Sequence, residues 1–408
     1  MKVLVNSYSC SPNRGSEPGL GWNWCTNLAK YCELYIITEE HWRENIEAVL
    51  PSLPQSGNMH FYYNRISDKA RSMAQNQGTW LFYWYYREWQ KRTLSIARQI
   101  CSDYSIDIVH QLNWTGYREP GYLWKINGPK YVWGPIGGTN LCPVNYIKGI
   151  DSKITATYSI KNFLNKLQFR LEGRVGKAAR RSDLIFCDSN SGVESFKKVY
   201  GVDSLQINES GCYSSQRIER NAIDGKETLD ILWVGRFIPT KLLNLALQSI
   251  SQVKRNYNIK LHILGGGSDE EYYKELADNL GLDDRCVWHG QVDHDQVLQI
   301  MKKSDLLFYT SVVDGTPAGI MESISNGLPI LCFDTCGFGP MVDESIGVKI
   351  PLTNPKQSAK EFAEKIMYLY DHRSELQVMS DNCVQKVNNI SWDALAKRMV
   401  GLYDEILK

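Results

Sequence analysis

Short runs rich in β-branched and aromatic residues alternate with segments of helical period along this 408-residue chain, and the alternation occurs twice. The first set of strand-like runs is Lys2–Ser7, Leu34–Thr38, Met59–Tyr63, Asp107–Gln111, Lys130–Trp133 and Leu184–Asp188. The second set is Leu229–Val234, Lys260–Leu264, Cys286–His289, Leu306–Tyr309, Ile330–Phe333 and Gly347–Ile350. Between them lie helix-period segments such as Gly21–Tyr31, Lys241–Lys254, Asp269–Leu280, Asp295–Lys303 and Ser358–Tyr370. Strand and helix in alternation predict parallel sheets joined by crossover helices. The length exceeds one typical core. The expected fold is therefore α/β, with two Rossmann-like doubly wound domains facing a central cleft. The boundaries read as 1–207 for the first domain, a polar linker over 208–226, and 227–390 for the second. A last helix, Trp392–Leu407, is expected to pack back on the body, so 391–408 closes the chain.

Composition removes several function classes. The formal net charge is +1, which gives no global attraction to nucleic acid. No run of about 18 apolar residues is present, so no segment is expected to span a bilayer. The first residues, Met1 to Tyr8, read as a strand entering a loop rather than as a signal peptide. Eleven scattered cysteines, several in apolar runs, predict free thiols in a reducing cytoplasm. Cys332 and Cys336 are close in sequence but lack a second pair, so no structural metal is expected.

Two clusters carry chemistry. In Ser311–Ile330 (SVVDGTPAGIMESISNGLPI), Asp314 follows a strand and Glu322 sits eight residues later on the next helix. Ligands of open α/β sheets bind at the carboxyl ends of strands, where two acids could hold polyol hydroxyls. A solvated loop acid and a helix-surface acid would read the same way. In Ile231–Leu247, a strand ends at Gly235, and Arg236 and Lys241 follow before a helix. Two cations beside a helix N-terminus suit a diphosphate; a pair of surface cations is the plainer alternative. Gly265–Gly267 close another strand, a weak sign that backbone approaches a ligand. Neither a dinucleotide-binding fingerprint after the first strand nor a P-loop occurs, which disfavours oxidoreductases and P-loop enzymes.

The order of these features resembles the second half of family-4 glycosyltransferases of the GT-B fold: strand–Gly235–Arg236, Lys241, a glycine turn, Trp288–Val292 (WHGQV), acid–x7–acid, and Asn326–Pro329 (NGLP). Segments of the first half resemble bacterial surface-polysaccharide members: Arg14–Trp22 (RGSEPGLGW), Asp107–Trp114 (DIVHQLNW), Arg118–Trp124 (REPGYLW) and Val132–Gly138 (VWGPIGG). The resemblance covers nearly the whole chain.

The resemblance implies a role for each matching residue. Arg236 and Lys241 would hold the donor's diphosphate, Glu322 the ribose, and Asp314 the donor sugar. Thr316, Pro317 and Ala318 would line the sugar and phosphate path, although Pro317 brings no N–H. Gly15 and Ser16 would approach the transferred group, and the loop from Gly290 to Val292 would meet the base. Acceptor contacts would fall to Glu17, Asn113 and Trp114. His110, at a strand end where the family often carries an active-site His, could bond a sugar hydroxyl or be a satisfied structural residue. The family usually has Glu at the first acid position and this chain has Asp314, one methylene shorter, which bears on the choice of sugar.

The implied activity is retaining transfer of a sugar from a nucleoside-diphosphate-sugar to a glycan or lipid-linked glycan in surface-polysaccharide synthesis. It needs no cofactor and no metal. Asp293–His294–Asp295 fits a metal-binding D-x-D, but an Asp at a helix N-cap explains it more simply. A nucleotide-sugar epimerase and an inactive scaffold of an assembly complex are the alternatives. Seven aromatics within Thr79–Arg92, and a run of cations over Lys161–Arg181 against the single acid Glu172, suit either an inner-membrane surface or ordinary helices, one buried and one solvated.

Overall fold

The computed structural model describes residues 1–73, 80–113, 116–148, 152–213, 223, 225–315 and 317–408. The strands are β1 (Lys2–Ser7), β2 (Glu33–Glu39), β3 (Met59–Asn64), β4 (Ile108–Asn113), β5 (Lys130–Ile136), β6 (Leu184–Cys187), β7 (Leu205–Gln206), β8 (Leu229–Val234), β9 (Ile259–Leu264), β10 (Cys286–Gly290), β11 (Leu306–Tyr309), β12 (Ile330–Phe333) and β13 (Gly347–Ile350). They form two sheets, β3-β2-β1-β4-β5-β6-β7 and β10-β9-β8-β11-β12-β13. Every strand pair in both is parallel. Strands covered by helices on both faces must be apolar throughout; Val3, Leu4, Val5, Leu306, Leu307 and Phe308 are all buried. Each order reverses direction beside its first strand, between β1 and β4 and between β8 and β11. Those two reversals are the switch points at which such sheets bind ligands.

The chain divides into two compact units, and the expected boundaries need correction. One unit holds Met1–Thr139, Asn165–Glu209 and Trp392–Lys408; the other holds Asn140–Leu164 and Ser210–Ser391. Residues 140–164 thus leave the first domain for the second. The cause is packing: Tyr146 and Ile147 are buried, the Tyr146 ring meets Phe333 edge-on at 5.5 Å, and its hydroxyl lies 2.8 Å from that of Ser358. Much of the polar stretch read as a linker, residues 214–222 and 224, lies outside the described residues.

The last helix, Trp392–Leu407, belongs to the first unit. Trp392 meets Trp24 edge-on at 5.8 Å, and the Tyr403 hydroxyl reaches Nδ1 of His110 at 2.6 Å. The aromatic run lies on the Trp80–Asp103 helix, with Thr79 outside the described residues. Phe82, Tyr85, Tyr86 and Trp89 are buried, and Tyr86 and Trp89 each meet the Tyr8 ring at 5.0 Å. These four rings form core, while Trp84 on the same helix is exposed. All eleven cysteines are free thiols. Among the described residues no helix is long and apolar enough to cross a membrane.

Candidate active site

The second sheet's switch point is built by two loops laced together. After β8 the chain passes Gly235 and Arg236, makes a short 3-10 turn over Pro239–Lys241, and enters the Leu243–Gln252 helix. Between turn and helix, Leu242 is left-handed (φ 52°) with its side chain fully buried. That conformation costs a non-glycine residue about 1 kcal/mol or more. Burial of the leucine and the bonds around it hold the kink. The Thr310 hydroxyl, just past β11, donates to the carbonyls of Lys241 (2.7 Å) and Leu242 (3.2 Å), and accepts from the Trp233 indole (3.0 Å). Val312 N–H donates to the Thr240 carbonyl at 3.1 Å. The loop after β11 therefore fixes where the Lys241 side chain starts.

Its end is fixed as well. Lys241 Nζ donates to Asp314 Oδ2 at 2.7 Å and to the Tyr309 hydroxyl at 3.1 Å, and lies 5.4 Å from the centre of the Tyr309 ring. The same Asp314 oxygen accepts from the hydroxyls of Tyr309 (2.6 Å) and Ser311. Burial first, and the neighbouring Asp314 charge second, push the Tyr309 phenol well above its usual pKa. It therefore stays protonated and donates. The lysine and aspartate side chains are 16% and 21% exposed, so the ammonium is held in place yet remains in reach of solvent. Arg236 is exposed in the loop between β8 and this turn. Gly265 packs against that loop: a Cβ there would stand 1.8 Å from the Gly235 carbonyl oxygen, and its φ is +132°. Only glycine fits such an approach.

Pro317 caps the Ala318–Ser325 helix without a side-chain bond, and its carbonyl accepts from the N–H groups of Ile320 (3.1 Å) and Met321 (3.3 Å). Glu322 is on this helix, 30% exposed, and its Oε1 lies 3.0 Å from Nε2 of His294. Asp293 is the N-cap of the His294–Lys303 helix: Oδ1 accepts from Gln296 N–H at 2.8 Å, and the Gln296 side chain accepts from Asp293 N–H at 3.2 Å. Asp293 thus has the capping role expected of it, while His294 turns to Glu322. Among the described residues no three His, Cys, Asp or Glu side chains group as metal ligands. Gly290 is left-handed (φ 69°), where the chain leaves β10 for Val292. Thr316 lies outside the described residues.

In the first domain the sequence-selected residues are placed differently. Gly15 and Ser16 are exposed at the start of the Ser16–Leu28 helix, and Glu17 is in its first turn. The loop before them is pressed onto that helix, since a Cβ on Gly21 would stand 2.1 Å from the Ser9 carbonyl oxygen. Asn113 is only 3% exposed and spends its amide on Ser9, donating to its carbonyl at 2.9 Å and accepting from its N–H at 3.4 Å. These two bonds tie the end of β4 to the loop after β1. Trp114 lies outside the described residues. His110 is fully buried; Nε2 contacts the Gly134 carbonyl at 2.7 Å and Nδ1 the Tyr403 hydroxyl at 2.6 Å. Both ring nitrogens are engaged within the domain.

Sequence reasoning missed Tyr309, Thr310, Ser311 and His294. Their roles depend on partners tens of residues away, although Tyr309 and Ser311 stand within five residues of Asp314 and offered a local hint.

Residues 215–385 match the family model of glycosyl transferases group 1. That match falls within the second half of the chain. Over 154 residues, 34% of its length, the chain is 33% identical to the lipopolysaccharide 1,6-galactosyltransferase of Escherichia coli, covering 42% of that protein. A glycosyltransferase of Methanocaldococcus jannaschii is 25% identical over 177 residues, covering 44% of its length. The chain thus spans less than half the length of these relatives. Its fold matches a lipopolysaccharide outer core galactosyltransferase, WaaB, at TM-score 0.67, 14% identity and 99% and 100% coverage of the two chains. It also matches Anabaena HepE in complex with UDP and glucose, at TM-score 0.58, 13% identity and 99% and 100% coverage. The fold is GT-B, with two parallel-sheet α/β domains.

Proposed function

We propose that this protein is a retaining, metal-independent glycosyltransferase of family 4. It moves a sugar from a nucleoside-diphosphate-sugar to a hydroxyl of a glycan or lipid-linked glycan in surface-polysaccharide synthesis. The observation that carries the reading is the placing of Arg236, Lys241 and Asp314 on the loops that follow β8 and β11, with Lys241 bonded to Asp314 and Glu322 on the next helix. In the reaction, the bond from the anomeric carbon to the diphosphate breaks and a bond to the acceptor oxygen forms on the same face. The acceptor's proton passes to the departing diphosphate. Charge on that leaving group is met by Lys241, Arg236 and the N-terminal end of the Ala318–Ser325 helix. Asp314 and Tyr309 keep the Lys241 ammonium from swinging away, which lowers the reorganisation needed as charge develops. Asp314 also stands where the donor sugar is expected, and Glu322 would exchange its His294 contact for ribose hydroxyls. The UDP held by HepE makes UDP the first nucleotide to try.

The test is a panel of UDP-, GDP-, ADP- and dTDP-sugars, scored by rise in melting temperature because a ligand of the native state stabilises it by mass action. The best donor is then incubated with candidate acceptors. A product with the donor's anomeric configuration is expected. Isomerisation of donor alone would identify an epimerase, and absence of any nucleotide binding would leave a scaffold.

A further inference from the structure

Glu322 and His294 meet across two helices of the second domain that share one apolar layer. The Ala318–Ser325 helix sends Ile320 and Ile324 into a buried cluster, and the His294–Lys303 helix adds Met301, with Val297 and Leu298 packed against it. That layer sets the two helices against each other. The start of the second one is pinned further by the reciprocal bonds between Asp293 and Gln296, at 2.8 and 3.2 Å. His294 is its first residue, just past the left-handed Gly290 and so at the edge of the loop expected to meet the base. Glu322 stands about one turn into its own helix. At the rim, Nε2 of His294 lies 3.0 Å from Oε1 of Glu322, with the two side chains 65% and 30% exposed.

Chemistry assigns the donor and the acceptor. A carboxylate only accepts, so the hydrogen between the two sits on Nε2 of His294. A contact as exposed as this one contributes little to stability, so a ligand can open it at small cost. A ribose hydroxyl suits the opened gap, because it donates one hydrogen bond and accepts another. Set between the two side chains, it donates to Glu322 and accepts from His294, and neither side chain is left without a partner. A glutamate alone would take only the donated bond; the histidine adds the accepted one. A deoxy position offers neither, and leaves the N–H and the carboxylate facing carbon.

We propose that His294 is a second ribose-binding residue, which reads one ribose hydroxyl jointly with Glu322 and so selects ribonucleotides over their deoxy forms. The proposal rests on the reading of the second domain as the donor site. The experiment is calorimetric titration of the full chain with UDP, GDP, ADP and dTDP, and with the 2′-deoxy and 3′-deoxy forms of the first three. Native chain, His294→Ala and His294→Gln are compared. For the best-bound ribonucleotide, loss of the bridging hydroxyl should weaken binding to the native chain about tenfold or more. His294→Ala should weaken the ribonucleotide several-fold and leave the form lacking that hydroxyl within about twofold, which shrinks the preference. His294→Gln keeps an N–H donor and should restore most of it. Because His294 faces solvent, melting temperature should hold in both variants. An equal preference in the native and His294→Ala chains would overturn the proposal. So would tighter ribonucleotide binding by His294→Ala, since His294 would then compete with the ribose, and so would binding of dTDP alone. Any of these, with Glu322→Gln still weakening the bound nucleotide, leaves the donor-site reading standing. A native chain that binds none of the nucleotides would overturn both.

Discussion

The two sheets end their central strands in opposite ways. At the β8–β11 switch point the polar groups are charged and partly open: Lys241 at 16%, Asp314 at 21% and Glu322 at 30% exposure. Across the β1–β4 switch point they are mostly neutral and closed on one another. Asn6 donates to Gln90 and Gln111 at 2.8 Å each, His110 is held at both ring nitrogens, and Asn113 holds Ser9. The same topology gives polar strand ends in both places. What differs is whether charge is kept at the surface or neutral groups are satisfied inside. Buried neutral networks fix backbone; a desolvated but reachable cation is poised for an anion.

The largest break in the comparison should come from Lys241→Ala. Loss of an oriented charge at a leaving group typically costs about 10²–10³ in turnover. Steady-state rates with the best donor should fall by that order while the far-ultraviolet circular dichroism spectrum stays native. A change under about threefold would remove the lysine from the chemistry.

Next is Glu322→Gln, which should weaken nucleotide binding about tenfold, the scale of a charge-assisted hydrogen bond. Calorimetric titration checks it, and unchanged affinity would place the ribose elsewhere.

His110 supplies the contrast from the closed side. Burial lowers its pKa from 6.5 to about 4. The native state then binds fewer protons than the unfolded state between those values, so stability present above about pH 6.5 is lost as pH falls toward 4, by up to about 3 kcal/mol. Buried Asp188, raised to about 6 by its own desolvation, gives the opposite slope in much of the same window. The clean readout is therefore the difference between native chain and His110→Gln. Denaturant melts should show the variant less stable at pH 7 and less sensitive to acid, with turnover changed far less than by Lys241→Ala. A turnover loss as large as that of Lys241→Ala, at unchanged stability, would return His110 to the active site.

Most of the fold was legible because parallel strands are short, apolar and separated by helical period. β7 escaped because two residues, Leu205 and Gln206, carry no pattern. Arg236, Lys241, Asp314 and Glu322 were legible because each follows a strand or loop of recognisable order. The clamp around Asp314 was less so, since Lys241 and Asp314 are 73 residues apart. The roles of His110 and Asn113 could not be read, because a strand-end polar residue looks the same whether it faces ligand or is bonded to Tyr403 or Ser9. The aromatic run over Thr79–Arg92 was ambiguous for a similar reason. Aromatic content did not say that Tyr8 stands ready to pack Tyr86 and Trp89.

The central claim is that the open switch point of the second sheet holds the donor's diphosphate. Its most direct test is titration of UDP, then GDP, ADP and dTDP, into the native chain and into Arg236→Ala, Lys241→Ala. The account predicts that at least one nucleotide binds the native chain, and that the double variant, with its melting temperature preserved, loses about 100-fold or more in affinity for it. Equal affinity in the two proteins would contradict the account.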